Sequence, residues 1–269
     1  SCRSAEALQP LRVEPVARGV DVELGQVLDQ QARHQRLDRQ RLVAERAGAE
    51  ADGVGLAAHG RWSVILDERK SPRPVCPSED PEKPSPDCHI AGAIWHWARG
   101  MAYAASGDWG KADSELSLFR DDVVNIPESA DWSNNKARSV LAIAAETLQA
   151  RIAWAKNQRT SAIDHLEQAV LYEDALKYDE PPQWVFPARQ SLGGAYMALH
   201  SPPTEDDLRA AVSAFCTDLR KHRENGRSLY GVALALYRRG NPWKATYVQR
   251  YLDAWGDSPG LDETDLWLL

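Results

Sequence analysis

The sequence of 269 residues predicts an all-α fold: an α-solenoid of antiparallel helix pairs, with a proline-rich loop and a poorly packed segment before it. Three observations carry this reading. From Ile90 onward, helix-forming stretches alternate with proline and glycine seams at Gly107, Pro127, Pro181-Pro182, Pro202-Pro203, Gly240 and Pro242. No stretch sustains the apolar–polar alternation of a strand. A pattern of small residue, large residue, turn and alanine recurs four times.

Residues 1–58 stand apart. No Phe, Trp or Tyr occurs before Trp62 and no Lys before Lys70. The stretch LDQQARHQRLDRQRLVAERAGAEADG has helix-forming composition but few apolar residues. Its buried face would be narrow, and aromatic rings normally supply much of a core's buried area. We expect weakly packed helix or disordered chain here. An Arg/Ala/Val/Gly-rich, aromatic-free stretch is also what a GC-rich gene read out of frame yields. Residues 59–89 combine a short turn, HGRWSVIL, with DERKSPRPVCPSEDPEKPSPDC, whose six prolines interleave with charges. That spacing opposes both helix and central strand and reads as a linker. Pro74 and Pro77 form a P-x-x-P, a spacing that also arises often by chance.

Residues 90–269 hold the repeats. In IWHWARGMAYAASGDWGKADSELSLF the pattern falls on Gly100, Tyr103, Gly107, Ala112, Leu116 and Phe119. Gly107 suits the left-handed residue that ends a helix, and Asp108 suits the cap of the next. Small Gly100 and Ala112 would let the two helices approach closely. The second unit aligns Ala150, Ala153, Asn157, Ala162, Leu166 and Ala169, with Asn at the left-handed turn. The third aligns Gly193, Tyr196, His200, Ala211, Phe215 and Asp218; Pro202-Pro203 lengthens its turn, and Thr204 with Asp207 reads as a capping box. The fourth aligns Ala233, Leu236, Gly240, Ala245, Gln249 and Leu252, with Gly240-Asn241-Pro242 as stop and restart. Gly100, Ala150, Gly193 and Ala233 are spaced by 50, 43 and 40 positions, longer than the roughly 34 of a standard tetratricopeptide unit.

IWHWARGMAYAASGDWGKADSEL, YDEPPQWVFPARQSLG, DLRKHRENGRSLYGVALALYRRG and HGRWSVIL resemble the C-terminal half of a group of bacterial and fungal tetratricopeptide-repeat proteins. The resemblance spans Gly60 to Asp253 apart from the proline-rich loop, and is poor over Gln9 to His59. It implies a helical-repeat fold and no particular activity. Members of that group carry further repeats upstream, including a His-rich helix without counterpart here. The resemblance therefore implies a chain truncated or altered at its N-terminal end. It also favours Trp where Arg227 stands.

The junction YDEPPQWVFPARQSLGG ends one helix and starts another. A residue before proline is biased away from helix, so Glu180 and Pro181 should be extended. Trp184 and Phe186 should anchor the connection as buried struts. Pro187 should open the helix through Arg189 and Leu192. The Asp179-Glu180 pair then lies near that helix N-terminus, where negative charge is favourable.

The net charge of −7 gives no global field for nucleic acid. Mean hydropathy is −0.50, and no apolar run approaches the ~20 residues of a membrane span. No basic-then-apolar signal opens the sequence. These features predict a cytoplasmic protein with neither nucleic-acid nor membrane partners. Cys2, Cys76, Cys88 and Cys216 lack C-x2-C spacing. Free thiols are expected, although Cys76 and Cys88 flank the proline-rich loop closely enough to bridge, or to bind metal beside His89, under oxidising conditions. No cofactor is implied.

G-x-S-x-G, H-E-x-x-H, P-loop and dinucleotide motifs are absent. Asp121-Asp122 and Asp206-Asp207 sit near helix ends and read as solvated. The leading expectation is a protein- or peptide-binding module rather than an enzyme. By register, its concave groove would be lined by Trp97, Met101, Arg151, Trp154, Gln190, Met197, Tyr230, Tyr237 and Arg238. Aromatics and arginines suit an extended peptide or its terminal carboxylate. The alternative is a small-molecule or enzymatic pocket around His96, Arg99, Glu180 and Arg189. Against it stands a structural reading, in which His96 and Arg99 pair with Asp179 or Glu180. The tail DLWLL is a candidate contact for self-association.

Overall fold

A computed structural model of the chain describes residues 62–67, 69, 71–74, 85–179 and 182–255. The 1–58 segment, Glu180, Cys76 and the DLWLL tail lie outside these residues. The described part is all-α apart from one small hairpin and divides into two compact units, residues 62–195 and 196–255.

In the first unit, α1 (Trp62–Leu66) precedes α2 (Pro86–Ala105) and α3 (Trp109–Asn125). Then come β1 (Asp131–Trp132), β2 (Asn135–Lys136), α4 (Ala137–Ala155) and α5 (Arg159–Asp174). The chain division falls within α6 (Ala188–Met197). Helix α2 packs on α1, α3 and α4; α3 also meets α4, and α4 packs on α5.

Helix α2 begins inside the stretch expected to be linker. Pro86 occupies its first turn, where a missing N–H costs nothing and the fixed φ is already helical. The helix ends at a left-handed Gly107 (φ 83°), and Asp108 accepts from Lys111 N at 3.2 Å to cap α3. Asn157 (φ 61°) repeats this turn between α4 and α5. Gly100 faces α4 more closely than α3: a Cβ there would come within 2.8 Å of Leu148 Cδ1 and 3.4 Å of Glu115 Cβ.

Cys88 is disulfide-bonded, which corrects the expectation of free thiols; its partner lies outside the described residues. Cys216 is free and buried. The hairpin is an element that sequence periodicity does not register. Two residues per strand are too few to show alternation, and Ser133 at φ 53° makes the turn.

The core of this unit gathers Trp97, Phe119, Leu141, Ile143 and Leu148 with Trp184 and Phe186 from the connection between α5 and α6. Trp184 is 5 % exposed, its ring edge-on to Trp97 at 5.2 Å and to Phe186 at 6.1 Å. The strut reading of this segment matches that burial. The acidic group at the start of α6 differs from expectation: Glu173 Oε2, from the end of α5, accepts from Ala188 N at 2.9 Å. Asp179 instead accepts from Asn134 N at 3.0 Å and from Gln183. Glu173 thus supplies the negative charge at the first turn of α6.

The second unit contains α7 (Glu205–Lys221), α8 (Gly226–Arg238) and α9 (Lys244–Trp255), with α8 packed on both others. Thr204 and Asp207 form the reciprocal capping box, at 2.7 and 3.1 Å. Gly240 is left-handed (φ 63°), and Asn241 Oδ1 accepts from Trp243 N at 2.9 Å. Phe215, Leu229, Val232 and Leu236 centre its core.

Candidate functional site

His96 and Arg99 lie three residues apart on α2, so both side chains face α3. They converge on Glu115: His96 Nδ1 lies 2.6 Å from Oε2, and Arg99 Nε donates to Oε1 at 2.8 Å. All three are buried. Burial alone would raise the Glu115 pKa, but the hydrogen bonds from His96 and Arg99 outweigh it and hold the carboxyl below its ordinary range. About two helical turns on, Asp122 pairs with His89 at 3.0 Å and lies 3.9 Å from His96 Nε2. Its carboxylate fills the space that a side chain at position 92 would need, since a Cβ on Gly92 would sit 2.4 Å from Oδ2.

These groups fasten α2 to α3. The partner expected at Asp179 or Glu180 is instead Glu115, because antiparallel packing brings α3 back alongside α2. Arg189 is engaged elsewhere, with Asp174 at 2.6 Å through Nη1. Glu180 lies outside the described residues. His96, Arg99 and Arg189 therefore do not converge on one pocket.

The nine residues expected along a groove are divided between the two units. Trp97 and Met101 are fully buried, and Trp97 Nε1 donates to Thr147 Oγ1 at 3.2 Å. Gln190, on α6, is also buried. Trp97 and Met101 belong to packing, because α2 is covered on several sides and its inward face is core. In the second unit Met197 and Tyr230 are buried, Tyr230 against Tyr251 at 5.7 Å between centroids. Tyr237 is half-buried beneath Lys244, and Arg238 is exposed.

Arg151 and Trp154 are the two groove residues of the first unit that reach its surface. They sit on the last turns of α4, and the left-handed Asn157 folds Arg159, the first residue of α5, back over them. The Arg159 guanidinium stacks 3.8 Å from the Trp154 ring centroid. Burial pushes the Arg151 pKa down to about 10, with the nearby positive charge of Arg159 adding to the effect. Nη1 of Arg159 is buried without a hydrogen-bond acceptor among the described residues. Sequence reasoning passed over Arg159. Its signal was the W-A-K-N-Q-R run, in which a turn residue midway returns the Arg to the Trp.

Two further arrangements bear on chemistry. Ser228, His222 and Asp218 meet in the second unit, but Ser228 Oγ donates to Asp218 at 2.5 Å and His222 lies on the other carboxylate oxygen at 2.7 Å. This joins α7 to α8 and pairs no nucleophile with a base. In the first unit a cavity of about 550 Å3 opens between the hairpin, the start of α4 and the end of α5. His96, Arg99 and Arg189 are not in its lining. Among the described residues, no cluster of three or more His, Cys, Asp or Glu could hold a metal, and no helix is long and apolar enough to cross a membrane.

Comparisons with protein-family models, curated proteins and solved structures find no match to this chain.

Proposed function

We propose that the chain is a tetratricopeptide-like helical-repeat module that binds a protein partner through an acidic or C-terminal carboxylate segment. The observation that carries this reading is the Arg159 guanidinium stacked on the Trp154 ring, with Arg151 one helical turn before Trp154 on α4. Two like charges brought together in a partly desolvated place repel each other. A carboxylate would offset the added positive charge of Arg159 and accept from its Nη1, which has no acceptor among the described residues. The Trp154 ring adds a flat apolar surface for the flanking peptide. The repeat reading is supported by left-handed turns at Gly107, Asn157 and Gly240, three of the four turn positions of the pattern; the fourth, His200, is not left-handed. The packing of α2 on both α3 and α4 supports it as well.

The test is capture of partners from extract by the wild-type chain, Arg151→Ala, Trp154→Ala and Arg159→Glu, followed by titration of the captured segment as acid and as amide. The expected result is loss of the partner in the variants and at least tenfold weaker binding of the amide. Identical partners on all four proteins, or equal binding of acid and amide, would end the proposal.

A further inference from the structure

The cavity at the opposite end of α4 carries a different chemistry. Arg138 lines it and lies 13 residues from Arg151, about 20 Å along the helix at 1.5 Å per residue. Its volume of about 550 Å3 is in the range of small-molecule sites.

One wall is built firmly. Asn135 Nδ2 donates to Lys177 O and to Gln183 Oε1, both at 3.0 Å, and Asn135 Oδ1 accepts from Lys177 N at 2.8 Å. Asn134 N donates to Asp179 Oδ2 at 3.0 Å, and its amide donates to Tyr178 O at 3.3 Å. The hairpin is thereby stapled to the segment after α5, and the cavity between them is preformed.

Its lining is cationic in an acidic chain: Lys136, Arg138 and Lys177 against Asp131. Two of these cations are already engaged. Lys136 pairs with Asp131 at 2.6 Å. Arg138 donates to Ile126 O at 2.7 Å and to Val124 O at 3.0 Å, with Glu128 at 3.7 Å. Lys177 meets the hairpin through its backbone, and its ammonium forms no ion pair among the described residues. One cation without an ion pair among the described residues suits one negative charge. Tyr172, Leu176 and Ala142 supply an apolar floor beside it.

We propose that this cavity is a site for a small organic monocarboxylate with a compact aromatic or alkyl body. The carboxylate lies at Lys177 and the body against Tyr172 and Leu176. A phosphate dianion fits less well, because the second charge would meet cations that are already neutralised.

The experiment is calorimetric titration of the full chain with 3-phenylpropionate, with its uncharged amide and with phenyl phosphate. Amide NMR shifts of Asn134 and Asn135 locate the site. The expected result is saturable binding of the acid, at least tenfold weaker binding of the amide and of phenyl phosphate, and perturbation of both asparagines. Lys177→Glu should weaken the acid at least tenfold, and Tyr172→Ala should weaken acid and amide alike. Both side chains are substantially exposed, so a circular dichroism spectrum equal to wild type is expected for each variant. Arg151→Ala should bind the acid as wild type does, which separates this site from the peptide face. Absence of acid binding, equal binding of acid and amide, or an unchanged affinity in Lys177→Glu would each overturn the assignment. Preference for phenyl phosphate would replace it with a dianion site.

Discussion

Trp184→Ala should be among the most destabilising single changes in the first unit. The side chain is 5 % exposed and meets Trp97 and Phe186 edge-on, at 5.2 and 6.1 Å. Truncating a buried Trp costs about 3–5 kcal/mol through lost transfer energy and the cavity left behind. The two edge-to-face pairs belong to the upper part of that range, at about 0.5–1.5 kcal/mol each. One term opposes them. Trp184 Nε1 is buried with no hydrogen-bond acceptor among the described residues, so removing the indole also removes an unsatisfied donor, worth about 1–3 kcal/mol. The net expectation is a loss of about 3 kcal/mol, which lowers the melting temperature of a unit this size by about 6–12 °C. Trp184→Phe separates the terms: it keeps most of the ring and discards the N–H, so its cost should stay below about 1.5 kcal/mol. Urea denaturation followed by circular dichroism measures both. Because the chain holds two compact units, each transition is fitted separately. A Trp184→Ala midpoint within about 0.5 kcal/mol of wild type would refute the strut argument. So would Trp184→Phe falling as far as Trp184→Ala, since the ring contacts would then be irrelevant.

Two further predictions concern the helix seams. Glu115 has a pKa lowered from an ordinary 4.5. Its contribution is therefore complete above that value and disappears as pH falls through the lower folded-state value. Urea midpoints measured from pH 6 to pH 3 should drop more steeply for wild type than for Glu115→Gln. Glu115→Ala should cost about 3–5 kcal/mol at pH 7 by removing the buried carboxylate that pairs with Arg99, and a pH profile shared by wild type and Glu115→Gln would sink the assignment. At the turns, Gly107→Ala should lose about 1–2 kcal/mol from left-handed strain alone, because no atom lies within 4 Å of the added Cβ. Asn157→Gly, at the matching turn, should be neutral or slightly stabilising; equal effects of opposite chemistry at the two turns would show that φ is not the deciding variable.

Much of the helical framework was legible because its signals are local. Left-handed turns at Gly107, Asn157 and Gly240, the Asp108 cap and the Thr204–Asp207 box each depend on a few neighbouring residues and their backbone preferences. Proline needed more care: the same Pro86 that marks a linker when read among its neighbours opens α2, since the first helical turn requires no N–H. The candidate site was legible only in part. Helical spacing put Trp97, Met101, Arg151 and Trp154 on related faces, but spacing alone does not say which part of a face a neighbouring helix covers. Packing against α1, α3 and α4 sent Trp97 and Met101 into the core and left Arg151 and Trp154 at the end of α4.

By itself, then, the sequence determined the all-α class, the turns at Gly107, Asn157 and Gly240 and the caps at Asp108 and Thr204, together with the burial of Trp184, whose proline neighbours restrict the backbone. Tertiary structure alone decided the pairings. Glu115 reaches His96 and Arg99 from 16 to 19 residues away, Arg159 returns onto Trp154, and Asn135 ties the hairpin to Lys177 across 42 residues. The physical reason is range. Backbone preference acts over one turn, whereas ion pairs and packing follow the register of antiparallel helices, which no single helix specifies.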